Sequence, residues 1–249
     1  MYRIRFFLAG FAAIALLAFS IGVALLTSAA AQDATPPAAG TPAGTPAGTP
    51  TATPAAAPSA ASCDTEAAIA AAPSSYAIVS EESAARYRAQ EELASIGAAE
   101  AVGETQAIIG TILLGEDGTP LVCSRFDVDL RTLQSDEARR DNYLYNNTLQ
   151  TETFPLATFV VASIEGLNGP LTDGQTVTMQ LLGDMTLHGV TRPATWDAEV
   201  TLNGDTLTGT ASTTFLMADY EIEEPVVGPV ASVDQEIRLE VDISARRNG

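Results

Sequence analysis

The stretch "LLGDMTLHGVTRPATWDAEV", Leu181 to Val200, decides the fold. Met179, Leu181, Gly183, Met185 and Leu187 form one parity, set against Thr178, Gln180, Asp184 and Thr186. Only Leu182 breaks the pattern. After the tight "LHGVTRP" the alternation resumes, with Trp196, Ala198, Val200 and Leu202 against Thr195, Asp197, Glu199 and Thr201. Period-two patterning means strands with one buried face. Two such strands across a short turn make an antiparallel hairpin. The turn holds His188, the only histidine of the chain, and the second strand holds Trp196, the only tryptophan.

The same grammar extends outward in both directions. "NGD" at Asn203–Asp205 is a second hairpin turn, followed by a strand from Leu207 to Met217. Val233, Ile237, Leu239, Val241 and Ile243 alternate with acids and Arg238 in the last run. Upstream, Val122, Phe126, Val128 and Leu130 alternate with Cys123, Arg125, Asp127 and Asp129. Ile108 to Leu114 and Leu156 to Gly166 read as strands, and "SYAIVS" and "SAARYRAQEEL" read as weaker ones. Phe159 is out of phase with Ile164. One segment differs: Ser135 is an N-cap with acids behind it and Pro155 is a stop, so a helix is expected near 136–150 or shorter. The sum is an all-β antiparallel domain of about eight strands with one short helix, a sandwich or a barrel. Small inward residues (Gly183, Gly209, Ala198, Ala211) would leave space inside a barrel.

Totals narrow the partners. The 249 residues carry 12 Lys+Arg against 31 Asp+Glu, a formal charge of −19, which repels nucleic acid. "MYRIR" followed by an uncharged run from Phe6 to Leu26 and the small-residue pattern "SAAAQ" reads as an export leader over residues 1–31. Cleaved signal and retained membrane anchor both fit it, and either places the rest outside the cytoplasm, in the cell envelope or secreted. Residues 32–62 repeat Ala, Thr, Pro and Gly and read as a disordered linker. Extended, it would reach roughly 90 Å at about 3.1 Å per residue. The folded domain is then 63–249, with its core at about 75–246. Cys63 and Cys123 are a disulfide candidate in an oxidising compartment, with two free thiols as the alternative. Two cysteines and one histidine are too few for a metal site.

From about Ser75 to Arg246 the chain resembles the YceI-like family of polyisoprenoid-binding, lipocalin-like barrels. The resemblance rests on "IIGTILLGEDGTPLVCSRFDVDLRTLQS", "RRDNYLYNNTLQTETFPLATFVV", "LLGDMTLHGVTRPATWDAEV" and the closing strand pair. Gly183, His188, Gly189, Val190, Thr191 and Pro193 stand at the spacing of the family's G-x-L-T-x-H-G-V-T-x-P hairpin. "TTFLMADYEIEEPVVG" departs from the family's R-x-D/E-F-G arrangement. The resemblance implies a lipocalin-like β-barrel that holds a long amphiphile in place of a cofactor: a polyisoprenoid, an isoprenoid quinone or a fatty-acid derivative.

The expected cavity lining is Phe126, Val128, Met179, Met185, Leu187, Trp196, Phe215 and Met217. His188, Arg140 and Asp141 are candidates for the mouth and a ligand headgroup. For His188 the first reading is that it orders the hairpin, with general-base chemistry a further one; for Arg140 and Asp141 the first reading is surface ion pairs. No nucleophile motif accompanies His188, so a catalytic set is not expected. The reading is a lipid-binding protein, not an enzyme, that carries or sequesters its ligand or serves an envelope stress response. The alternative is a solid-core adhesion module on a stalk. Homodimerisation is left open, as is membrane attachment through an uncleaved leader.

Overall fold

The computed structural model describes residues 59–60, 63–95, 97–225 and 230–248. The leader and all of the linker except Ser59 and Ala60 lie outside these. Ten strands follow in chain order: β1 Ser74–Ile78, β2 Ala84–Leu93, β3 Gly97–Thr105, β4 Ile108–Leu114, β5 Arg125–Asp129, β6 Leu156–Glu165, β7 Thr176–Leu187, β8 Val190–Asn203, β9 Thr206–Leu216 and β10 Val230–Arg247. All pairings between them are antiparallel.

The sheet runs β1-β4-β5-β6-β7-β8-β9-β10 and closes through β10 onto β1, an eight-membered ring. Closure is set by Tyr76 opposite Arg247 and Ile78 opposite Ala245. Further along, β10 pairs β2 on the same edge, with Asp242 opposite Ala84 and Leu239 opposite Tyr87, and β2 pairs β3. The chain from β1 to β2 is thus one wall position, broken by a tight turn at Ser80–Glu82. Ring closure removes the edge that an open sheet would leave unpaired.

The helical segment takes the shorter form. A first helix, α1 Thr65–Ala71, precedes β1 and was not expected. The second, α2, spans only Ala138–Tyr143 and is capped by Glu137 rather than Ser135. Asp141 draws the Ser135 hydroxyl (2.6 Å) and amide (3.0 Å) to itself, which pulls Ser135 out of the cap. The chain then widens into a π turn over Leu144–Thr148. Tyr, Asn and Thr are poor helix formers, and the Asn142 and Asn146 amides bond back onto carbonyls four residues earlier.

Two other expectations change. The strand expected to begin at Val122 begins at Arg125; Val122 is exposed and Cys123 has a positive φ of 68°. The phase of Phe159 is explained by a bulge. Val161 lies opposite Gly183 but Ser163 lies opposite Leu182, so Ala162 is an extra residue and the parity flips there. Phe159, Val161 and Ile164 therefore all face inward. The bulge brings strands close: a Cβ on Gly183 would sit 2.0 Å from the Val160 carbonyl oxygen and 3.0 Å from the Phe159 ring. Gly183 does not leave free space; strand backbone and Phe159 fill it.

Outside the barrel, Arg86 pairs with Glu104 and Asp242, while Arg88 pairs with Glu100 (2.8 Å) and Glu240 (2.9 Å). These pairs bridge β3, β2 and β10 and are part-exposed, so each stabilises little. The leading segment is fastened more firmly. Cys63 and Cys123 form a disulfide across 60 residues of chain, and Asp184 accepts from the Ser59 hydroxyl and the Ala60 amide, both at 2.8 Å.

Replacing Gly183 by Ala is expected to cost about 1–3 kcal/mol, since the clash is with backbone that cannot rotate away. Urea unfolding reads this directly, and unchanged stability would contradict the bulge. Replacing Cys63 and Cys123 together by Ala should lower stability by up to about 4 kcal/mol through loop entropy alone. Equal unfolding midpoints under oxidising and reducing conditions would contradict a structural bond.

Candidate functional site

Inward parity from β4 to β10, together with β2, converges on an interior cavity of about 170 Å³. Its wall is almost wholly apolar. Of the expected lining, Phe126, Val128, Met179, Met185, Leu187 and Trp196 are on it. Ala85, Ala198 and Ala211 also face it, and their small size keeps it open; Gly209 is on the wall too, but a Cβ there would lie 2.7 Å from the Glu199 carbonyl oxygen. Phe126 and Trp196 both pack against Phe159, at ring separations of 6.4 and 5.8 Å.

Phe215 and Met217 are not on the wall. Phe215 is still within β9, opposite Ile237 and beyond the part of that strand that lines the cavity, whereas Met217 opens the short turn Met217–Tyr220 that follows Leu216. Phe215 meets the Tyr220 ring edge-on at 5.2 Å, and Met217 is buried with Tyr220 and Ile222.

The interior has two ends. At one, Tyr76, Leu114, Leu171, Ala198, Leu207 and Ala245 form a packed cluster. At the other, Leu130, Leu133, Leu187 and Trp196 pack beneath the segment that contains α2, with Tyr145 and Leu149 against them. The Tyr145 hydroxyl donates to the Leu133 carbonyl and ties the π turn down. The cavity touches both ends.

His188 is not on the cavity wall. His188 and Gly189 both have positive φ (51° and 76°) and form the two-residue turn between Leu187 and Val190. A turn of this hand matches the twist of the strands it joins. The His188 Nδ1 lies 3.2 Å from the Tyr220 carbonyl, the ring meets Phe154 edge-on at 4.8 Å, and Nε2 is buried. A Cβ on Gly189 would strike the Phe154 ring at 2.6 Å. His188 thus fastens hairpin, Phe154 and the Tyr220 turn together.

Arg140 and Asp141 are likewise engaged by protein. Arg140 donates to Glu91 (3.1 Å) and Asp136 (2.6 Å), and Asp141 holds Ser135. Glu91 is 8% exposed and points inward from β2, on the parity of Ala85, Tyr87 and Ala89. Burial pushes the nearby Tyr87 phenol up to about 12; the Arg140 charge opposes this, and Asp141, Glu91 and Asp136 add to it. Tyr87 lines the cavity and was missed in the sequence, though its inward parity was readable from "AARYRAQEE".

Known proteins agree with this architecture. A UPF0312 protein of Vibrio vulnificus is 32% identical over 120 residues, covering 45% of this chain and 59% of that protein. A UPF0312 protein of Pseudomonas putida is 32% identical over 111 residues, covering 41% and 54%. The chain thus spans less than two thirds of these relatives. Two solved structures share the fold at low identity. A polyisoprenoid binding domain from Saccharophagus degradans, implicated in plant cell wall breakdown, superposes with a TM-score of 0.54 at 12% identity, covering 70% of this chain and 98% of that one. BcnA of Burkholderia cenocepacia gives 0.53 at 13% identity, covering 67% and 98%. The sequence pattern of the YceI-like domain matches residues 76–245, from the residue that closes the ring in β1 to the one near the end of β10, and the chain belongs to that family.

Proposed function

We propose that this barrel binds a molecule with a long apolar body, of the isoprenoid or fatty class, and holds it away from water for carriage or sequestration. The observation that carries this is the apolar cavity inside the ring, touching both end clusters. The Saccharophagus domain, described as polyisoprenoid binding, supports the ligand class. The energetics suit it. Each buried CH₂ contributes about 0.8 kcal/mol, so ten carbons supply about 8 kcal/mol before association costs. Few polar contacts are then needed.

The size of the cavity sets a condition. About 170 Å³ is close to the volume of a dry cavity that accepts benzene, and below the roughly 300 Å³ of ordinary ligand pockets. A long chain therefore requires the wall to repack. Met179 and Met185 are the adaptable members of that wall. The same small volume favours a second reading, a barrel filled by its own side chains that serves as a displayed structural module. Export, by the leader, and a place in the envelope remain part of the proposal, as does a role in envelope stress; membrane attachment would follow if the leader is retained.

Trp196, as the sole tryptophan, makes the test direct. Titration of the full chain with geranylgeraniol should change its fluorescence saturably. Ala198→Phe, which fills the lumen, should weaken binding by at least about tenfold, or 1.4 kcal/mol. Absence of any saturable change in the unmodified chain would favour the structural module.

A further inference from the structure

Among the described residues, six buried side-chain polar atoms have no hydrogen-bond partner: those of Ser74, Tyr87, Thr148, Ser163, His188 and Trp196. Only Tyr87 and Trp196 also stand on the cavity wall. Trp196 is 7% exposed, and its indole Nε1–H is a donor with no acceptor role. A buried donor without a partner is costly and rare, so each such group requires a reason.

The two residues lie on one hydrogen-bonded row of the wall, three strands apart. Tyr87 lies opposite Leu239, and Leu239 opposite Thr213. Asp197 lies opposite Ser212, which sets the neighbouring Trp196 beside Thr213. The Thr213 hydroxyl donates to the Thr195 carbonyl rather than into the lumen. On its other side Tyr87 faces Gly103, and a Cβ there would fall 2.2 Å from the Tyr87 ring, so the ring lies against β3 backbone and has little freedom. Both residues pack within the cluster beneath α2 and not within the one at the far end.

The charge at this end is fixed too. The groups acting on Tyr87 are one cation, Arg140, and three carboxylates, Glu91, Asp136 and Asp141. Arg140 is already engaged by Glu91 and Asp136. An anionic headgroup would meet net negative charge and no free cation from this set.

We propose that Tyr87 and Trp196 are the polar end of the cavity, a pair of donors for a neutral oxygen acceptor on an otherwise apolar ligand. The carbonyl or ether oxygen lies beneath α2 and the apolar body points to the Leu114, Leu171 and Leu207 end. This rests on the binding function proposed above and adds orientation and headgroup class: an uncharged amphiphile, excluding phosphorylated and carboxylate lipids.

Three carbon-matched probes test it by calorimetry on the full chain: 2-undecanone, undecane and undecanoate. Trp196→Phe and Tyr87→Phe should each lower the affinity ratio of 2-undecanone to undecane by about tenfold. Undecanoate at neutral pH should bind the unmodified chain at least about tenfold more weakly than 2-undecanone. That arm needs no variant and stands if a substituted barrel fails to fold. Variants that weaken ketone and alkane equally, or leave both unchanged, overturn the donor pair, and so does undecanoate binding more tightly than the ketone. If undecane binds but the ketone does not, the lumen is an apolar container without a polar end. If no probe binds, the container reading falls and takes this inference with it.

Discussion

Strand β10 holds the molecule together, because three strands pair with it. β9 runs along one edge over eleven residue pairs, from Glu236 to Arg246, while β2 and then β1 share the other. Without the β1 contact the ring would be an open sheet with exposed amide and carbonyl groups. Closure has a second consequence. An eight-stranded ring has an interior only just wide enough to fill with side chains. What faces inward then decides whether the lumen is solid. Here Ala85, Ala198 and Ala211 face Leu, Met and aromatic side chains, and a cavity is left.

Much of this was legible in the sequence. The β7–β8 hairpin, β9 and β10 follow from alternation alone, and six of the eight side chains expected to line the lumen do so. The failures have physical causes. β3 reads "GAAEAVGET", whose Ala, Gly and Glu are weak strand formers; it exists because β2 offers it a partner along nine residues. The inward phase of Phe159 was hidden by one extra residue, Ala162, since a bulge inverts parity without any marker in composition. Phe215 and Met217 fit the alternation but lie where the strand gives way to a turn, and boundaries are what periodicity fixes least. The helix starts later than its expected cap because that residue, Ser135, is claimed by Asp141 through contacts no linear pattern reveals.

The conspicuous residues and the polar residues of the cavity turned out to be different sets. His188, Arg140 and Asp141 attract attention in a sequence, yet none lines the cavity: His188 is held by Nδ1 in a hairpin turn, the others in the cap around α2. The unpartnered polar atoms on the cavity wall are on Tyr87 and Trp196, residues that composition alone classes as ordinary core. The barrel thus has an asymmetric interior, with aliphatic packing at one end and two donors under a helical cover at the other. Methionines between them give the wall freedom to adapt.

The central claim, that the lumen exists to be occupied by an apolar molecule, is tested most directly by native mass spectrometry. The full chain is recovered from its native cells and its solvent extract is analysed alongside. The account predicts a complex heavier than the polypeptide by one uncharged isoprenoid or fatty molecule, released on extraction. A bare polypeptide mass, unmoved after incubation with an excess of such lipids, would contradict it and leave a barrel that serves as structure alone.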